Sequence, residues 1–174
     1  MNDPANPAPE FSYEIDIDDV GRAGKIFRLS ANEKERAKIA ARLETPSVEK
    51  LEGVMKVMAT KTTIRVTGEI TAELTRECVA SLEPMLETIA ESFEMDFSRT
   101  PPETEEEEDL DAPEYFEGTA LDLGELLVQQ LSLAMDPFPR KEGAKSLAET
   151  YAPEEKVSPF AGLKGVLGKS DDNQ

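Results

Sequence analysis

The sequence predicts an α+β domain: an antiparallel sheet of about four to six strands with two main helices and a long acidic loop. Three observations predict it. From residue 63 to residue 74, apolar and polar side chains alternate without a break, the period of an antiparallel strand with one wet face. Two stretches, opening near Ser30 and at Asp122, place a capping pair ahead of helically spaced apolar residues. Residues 103–117, ETEEEEDLDAPEYFE, carry nine acids and no base, which crowds like charges around too little apolar surface to pack.

The elements follow in chain order. Residues 1–10 hold three prolines and no apolar pattern, so they read as a disordered arm. Phe11, Tyr13, Ile15 and Ile17 alternate with polar residues and predict a half-buried strand. Phe27 and Leu29 mark a short second one. Ser30 with Glu33 forms a capping-box pair, opening a helix that runs to about Arg42 or Glu44. Ile39, Ala40 and Leu43 give that helix a narrow apolar face, and Pro46 blocks its continuation. Residues 48–59 predict a strand with Leu51, Met55, Val57 and Ala59 on one side. Thr60-Lys61-Thr62 is the hairpin connection. In the next strand Ile64, Val66, Ile70, Ala72 and Leu74 share one face, with Gly68 in register. Arg65, Thr67, Glu69, Thr71 and Glu73 share the other.

Residues 82–97 fit two periods. Leu82, Met85, Leu86, Ile89, Ala90, Phe93 and Phe97 suit a helical stripe; Ile89, Phe93, Met95 and Phe97 also suit a strand. Periodicity alone favours the helix slightly. Residues 98–119 read as a mobile acidic loop. Asp122 and Glu125 then occupy N-cap and N3 positions, and Leu123, Leu126, Leu127, Leu131 and Ala134 form one stripe. Val128, Leu133 and Met135 lie off it, so the helix is apolar around most of its circumference and needs cover from the core or a partner. Pro137 and Pro139 end it. The remainder is mostly loop, with an apolar cluster at Pro159-Phe160-Ala161-Gly162-Leu163 and Val166-Leu167 behind it. A single domain is expected over 11–167, with 168–174 a disordered tail.

Composition removes much catalytic chemistry. Histidine is absent, which excludes Ser-His-Asp and Cys-His catalysis and the commonest transition-metal ligand. One cysteine excludes an internal disulfide and, with no histidine, a zinc site built within one chain. No run of 18 apolar residues is present, and the N-terminus has neither the basic nor the apolar part of a secretory signal. A cytoplasmic protein without a membrane partner is therefore expected. The net charge of −18 repels bulk nucleic acid and anionic membranes, and no DNA partner is expected. Charge is uneven, however: 103–117 supplies half of the net negative charge, and residues 18–65 carry eleven Lys or Arg against seven Asp or Glu.

Three candidate sites remain. Cys78, in RECVASLEP, lies at the end of a strand, and the alternation places it with Ala72 and Leu74. It reads as a small buried side chain; the competing nucleophile reading has only Arg76, two residues away, to lower its pKa. The acidic run Glu105, Glu106, Glu107, Glu108 and Asp109 has no apolar frame to separate carboxylate pKa values and no EF-hand spacing, so it reads as a solvated loop suited to a basic partner. Lys34, Lys38 and Arg42, four apart, line one stripe of the first helix and are candidates to face RNA; the alternative is a solvated face paired with Glu33 and Glu35. There is no P-loop, GxGxxG, GxSxG or HExxH motif, and no cofactor is expected.

GEITAELTRECVASLEP, an acidic spacer, GTALDLGELLVQQLSLAMDPFPR and SPFAGLKGVL, in that order, resemble the YceD family over about residues 10–167. These are bacterial and plastid proteins described as large ribosomal RNA subunit accumulation proteins, and the likeness is to an alphaproteobacterial-like branch. The family pattern is Cys-x-x-Cys followed by Leu-Glu-Pro. Cys78, Leu82, Glu83 and Pro84 match it, whereas Ser81 replaces the second cysteine. Asp122-Leu123 and Pro159-Phe160 match family positions too. The resemblance implies a strand over 86–97 and a non-enzymatic factor for large-subunit rRNA accumulation and ribosome assembly. The expected partner is the large-subunit precursor, through a basic ribosomal protein, as the acidic run suggests, precursor rRNA, as the Lys34, Lys38 and Arg42 stripe suggests, or both. Two other classes fit the residues less well: a general protein–protein adaptor using the apolar helix, and a carboxylate- and metal-dependent RNA-processing enzyme.

Overall fold

The computed structural model describes residues 9–101 and 113–145. Its centre is a five-stranded sheet ordered β2-β3-β4-β5-β6, made of β2 (Lys25–Ser30), β3 (Ser47–Ala59), β4 (Thr63–Glu77), β5 (Pro84–Ser98) and β6 (Glu114–Tyr115). All neighbours are antiparallel except β5 and β6. β1 (Glu14–Asp16) and β7 (Ala120–Asp122) form a separate antiparallel pair. The helices are α1 (Glu33–Arg42) and α2 (Leu123–Ala134). The α+β architecture is the one expected.

The long hairpin β3–β4 carries the core. Met55, Val57, Ile64, Val66, Ala72 and Leu74 are all fully buried, on the faces the alternation assigned. α2 lies across this layer, with Leu123, Leu127, Val128 and Leu131 also fully buried. Gly53 is what allows the close approach: a Cβ there would sit 2.8 Å from Leu127 Cδ1. The β3 register slips between Val48 and Lys50, leaving Glu49 as the extra residue. The slip is why Val48 and Leu51, three apart, are both buried.

Two expectations are corrected, and the two periods of residues 82–97 are resolved. Ser30 is the last residue of β2, not a cap. The capping box belongs to Asn32 and Glu35, with Asn32 Oδ1 accepting from the amides of Lys34 and Glu35 and Glu35 Oε2 accepting from the Asn32 amide. Asn is as good a cap as Ser, so an offset of two residues leaves the helix signal unchanged. The strand that the family resemblance implied over 86–97 is present as β5, against the slight helical preference of the periodicity, and it pairs with β4 along its whole length. Tertiary pairing decides here because the run fits both periods and only the strand completes the β4 ladder. Finally, the first strand stops at Asp16. Asp16 Oδ1 accepts from the Asp18 amide at 2.9 Å and starts a 3₁₀ turn, Ile17–Asp19, that still buries Ile17.

Within the stretch read as acidic loop, β5 extends to Ser98, and Glu114–Tyr115 returns to pair in parallel with Phe97 and Ser98. Phe116 packs edge-on against Phe97 at 6.2 Å and anchors that return.

Candidate functional site

Asp122 holds the entrance to α2. Its Oδ1 accepts from the amides of Gly124 at 2.9 Å and Glu125 at 3.1 Å, the expected cap. The same carboxylate also accepts from the Tyr13 amide at 2.8 Å and from Ser12 Oγ at 2.6 Å. The Leu123 amide donates to the Tyr13 carbonyl, and Leu123 is fully buried. Gly124 permits this crossing, since a Cβ there would lie 2.7 Å from the Phe11 carbonyl oxygen. Asp122 thus joins the N-terminal segment to α2 through four hydrogen bonds.

Arg42 is placed differently from the stripe drawn on the sequence. Its guanidinium donates two bonds to Glu125, each 2.7 Å, and a third to Glu10 at 2.8 Å. The bidentate pairing with Glu125 holds the arginine's pKa well above its usual range and Glu125 below the usual carboxylate range. Arg42 is therefore a clamp between α1 and α2, its charge paired with two carboxylates. Lys34 and Lys38 do stand exposed on α1, with no ion pair among the described residues. Glu35, cast as a partner for them, is spent on the cap.

Cys78 sits in a knot just beyond β4. Its amide donates to the Glu83 carbonyl, and its carbonyl accepts from the Leu82 amide, closing the 79–81 turn. Leu82 takes a left-handed φ of 59° and leaves its side chain largely exposed. The chain after α2 returns over this turn. The Val79 amide donates to the Pro139 carbonyl, the Lys141 amide donates to Cys78 Sγ at 3.3 Å, and Lys141 Nζ pairs with Glu83 at 3.0 Å. Arg76 does not serve the thiol. It bridges Glu87 at 2.8 Å and the Asp136 carbonyl at 3.1 Å, pinning the same returning segment. The Ser81 hydroxyl, followed by the Lys141 amide, holds the Cys78 thiol down at about 6. The sulfur is nevertheless fully buried, so it serves as an acceptor that locks a turn. Pro84 opens β5 directly after it.

Among the described residues no group of three or more Cys, Asp or Glu is placed to hold a metal ion. A depression of about 540 Å³ on the outer face of the sheet is lined by Ile26, Val54, Lys56, Thr67, Glu69 and Glu94, without a carboxylate pair in opposed environments. No described helix is long and apolar enough to cross a membrane. Glu105, Glu106, Glu107, Glu108, Asp109, Pro159 and Phe160 lie outside the described residues.

The sequence offered no sign of the segment Asp136–Lys141 as the cover of Cys78, because its partners lie about sixty residues away. The pairing of Arg42 with Glu125 was equally hidden, although both residues were individually visible at helix ends.

What the fold and these contacts define is a small α+β protein whose polar clusters are structural joints between elements. Residues 66–167 match the family model described as "Large ribosomal RNA subunit accumulation protein YceD", and the chain belongs to that family. No curated protein and no solved structure matches it.

Proposed function

We propose that this protein is a non-enzymatic cytoplasmic factor that supports large-subunit rRNA accumulation by holding a basic large-subunit ribosomal protein during assembly. The observation that carries this reading is the concentration of nine acids without a base in residues 103–117, inside the family match, on a chain of net charge −18. Opposed charge accelerates encounter and discriminates between partners. The absence of histidine in the sequence, and the engagement of Asp122 and Cys78 in structural bonds, support a binding role over a catalytic one. Lys34 and Lys38 supply a smaller cationic surface on α1 for precursor rRNA.

The test is a salt series. Binding of a purified basic large-subunit ribosomal protein is compared for the wild type and a variant with Glu105–Glu108→Gln and Asp109→Asn. The wild type should weaken steeply as salt rises, and the variant should bind weakly with most of that dependence gone. Identical salt slopes for the two proteins would end the reading.

A further inference from the structure

We propose that the open edge of β5, from Leu86 to Asp96, takes an extended Lys- or Arg-bearing segment of a protein partner as an added strand. This rests on the basic-partner reading above and assigns it a surface. The backbone geometry comes first. The Thr60 amide donates to the Thr63 carbonyl across the β3–β4 turn, so the odd residues of β4 bond to β3 and its even residues bond to β5. The registers pair those even residues with the odd residues of β5. The even residues of β5 therefore turn their N–H and C=O groups away from β4. Ser98 displays that orientation, its carbonyl accepting from the Phe116 amide at 2.8 Å. β6 occupies this edge only at Phe97 and Ser98. Leu86, Thr88, Ala90, Ser92, Glu94 and Asp96 have no strand partner among the described residues.

An unpaired row of this length is a template for another strand unless something blunts it. Proline does not interrupt it, and no helix lies along it. Instead, a groove of about 370 Å³ runs between the edge and the end of α2, lined by Ile70, Glu91, Phe93, Gln130, Leu133 and Ala134. Leu133, which lines it, is 78% exposed. An added strand would lower alternate side chains into this groove while its backbone completes the ladder.

Charge selects the occupant. β4 and β5 together carry seven acids and two arginines. Both arginines are committed, Arg65 to Asp96 and Glu94 and Arg76 to Glu87. Glu91 has no ion pair among the described residues and stands exposed beside the groove. A second copy of β5 would set acid against acid, which disfavours the symmetric dimer. A cationic strand with alternating apolar residues satisfies the backbone, the groove and the charge together.

The probe is a ten-residue peptide of alternating valine and lysine, added to the full-length chain, with amide exchange followed by NMR. A peptide of the same composition with N-methylated valines is the charge control. The peptide should slow exchange at the even residues from 86 to 96 by about tenfold or more, and leave the odd residues, already bonded to β4, unchanged. Ala90→Pro removes an amide the fold does not use and should weaken binding at least about tenfold. Glu91→Lys with Glu94→Lys should do the same without touching the backbone ladder.

Three results would overturn the proposal. One is binding without protection of the even amides. Another is equal binding by the N-methylated control. The third is protection already present in the free chain and lost on deleting residues 146–174, which would make the chain's own C-terminal segment the occupant. If large-subunit proteins are captured but the peptide leaves the edge unprotected, the functional reading stands and this surface falls. If the edge binds the peptide but no such protein is captured, the reverse holds.

Discussion

Asp122→Ala separates a structural aspartate from a chemical one. The substitution removes an N-cap, worth about 1 kcal/mol and at most about 2. It also removes the acceptor for Ser12 Oγ and the Tyr13 amide, bonds of 2.6 and 2.8 Å to an ionised group. Each contributes roughly 1 kcal/mol at an exposed site. The expected loss is about 2–4 kcal/mol, a large part of the total stability of a domain this size. Urea denaturation should show it as a lower midpoint with an unchanged m-value, since the surface exposed on unfolding is the same. Asp122→Asn keeps the oxygen that accepts from the Tyr13, Gly124 and Glu125 amides but replaces the acceptor of Ser12 Oγ with a donor NH2, so it should retain more than half of the lost stability. A drop under about 0.5 kcal/mol for the alanine variant would refute the joint, because losing a cap alone costs that much. Magnesium-dependent turnover of RNA that disappears in Asp122→Ala while stability is intact would refute the non-enzymatic reading as well.

Other perturbations follow from the same packing. Gly53→Ala drives a Cβ to 2.8 Å from buried Leu127 and should cost about 1–3 kcal/mol in thermal or urea unfolding. A double-mutant cycle on Arg42 and Glu125 should return a coupling of about 1 kcal/mol that weakens with salt, as for a partly exposed bidentate pair. Thiolate absorbance should place the Cys78 transition near pH 6, and Ser81→Ala should raise it. Because the folded value lies below the unfolded one, the thiolate contributes stability that is complete above about pH 9. That contribution is lost as pH falls through 6, and pH-dependent melting of wild type against Cys78→Ala reads it.

The sheet core was legible because β4 alternates strictly and shares its period with the burial it achieves. α2 was legible because an aspartate cap precedes a run apolar on most sides. β5 was not legible from its periodicity, since Leu82, Met85, Ile89, Phe93 and Phe97 satisfy two periods; the family resemblance implied the strand, and pairing with β4 is the physical reason for it. Arg42 looked like part of a surface stripe because spacing reports which helix face a residue occupies, not which element stands opposite. Its partner Glu125 is 83 residues away. Cys78 was read as small and buried, and it is buried. Its bonds to the returning chain at Lys141 depend on a long-range closure that no local pattern encodes.

Affinity capture of the tagged protein from native lysate, with and without RNase, tests the central claim most directly. Proteins and rRNA are identified together. A basic large-subunit ribosomal protein should stay bound after RNase treatment and elute with rising salt. Loss of every ribosomal protein on RNase treatment, or capture of none in either condition, would contradict it.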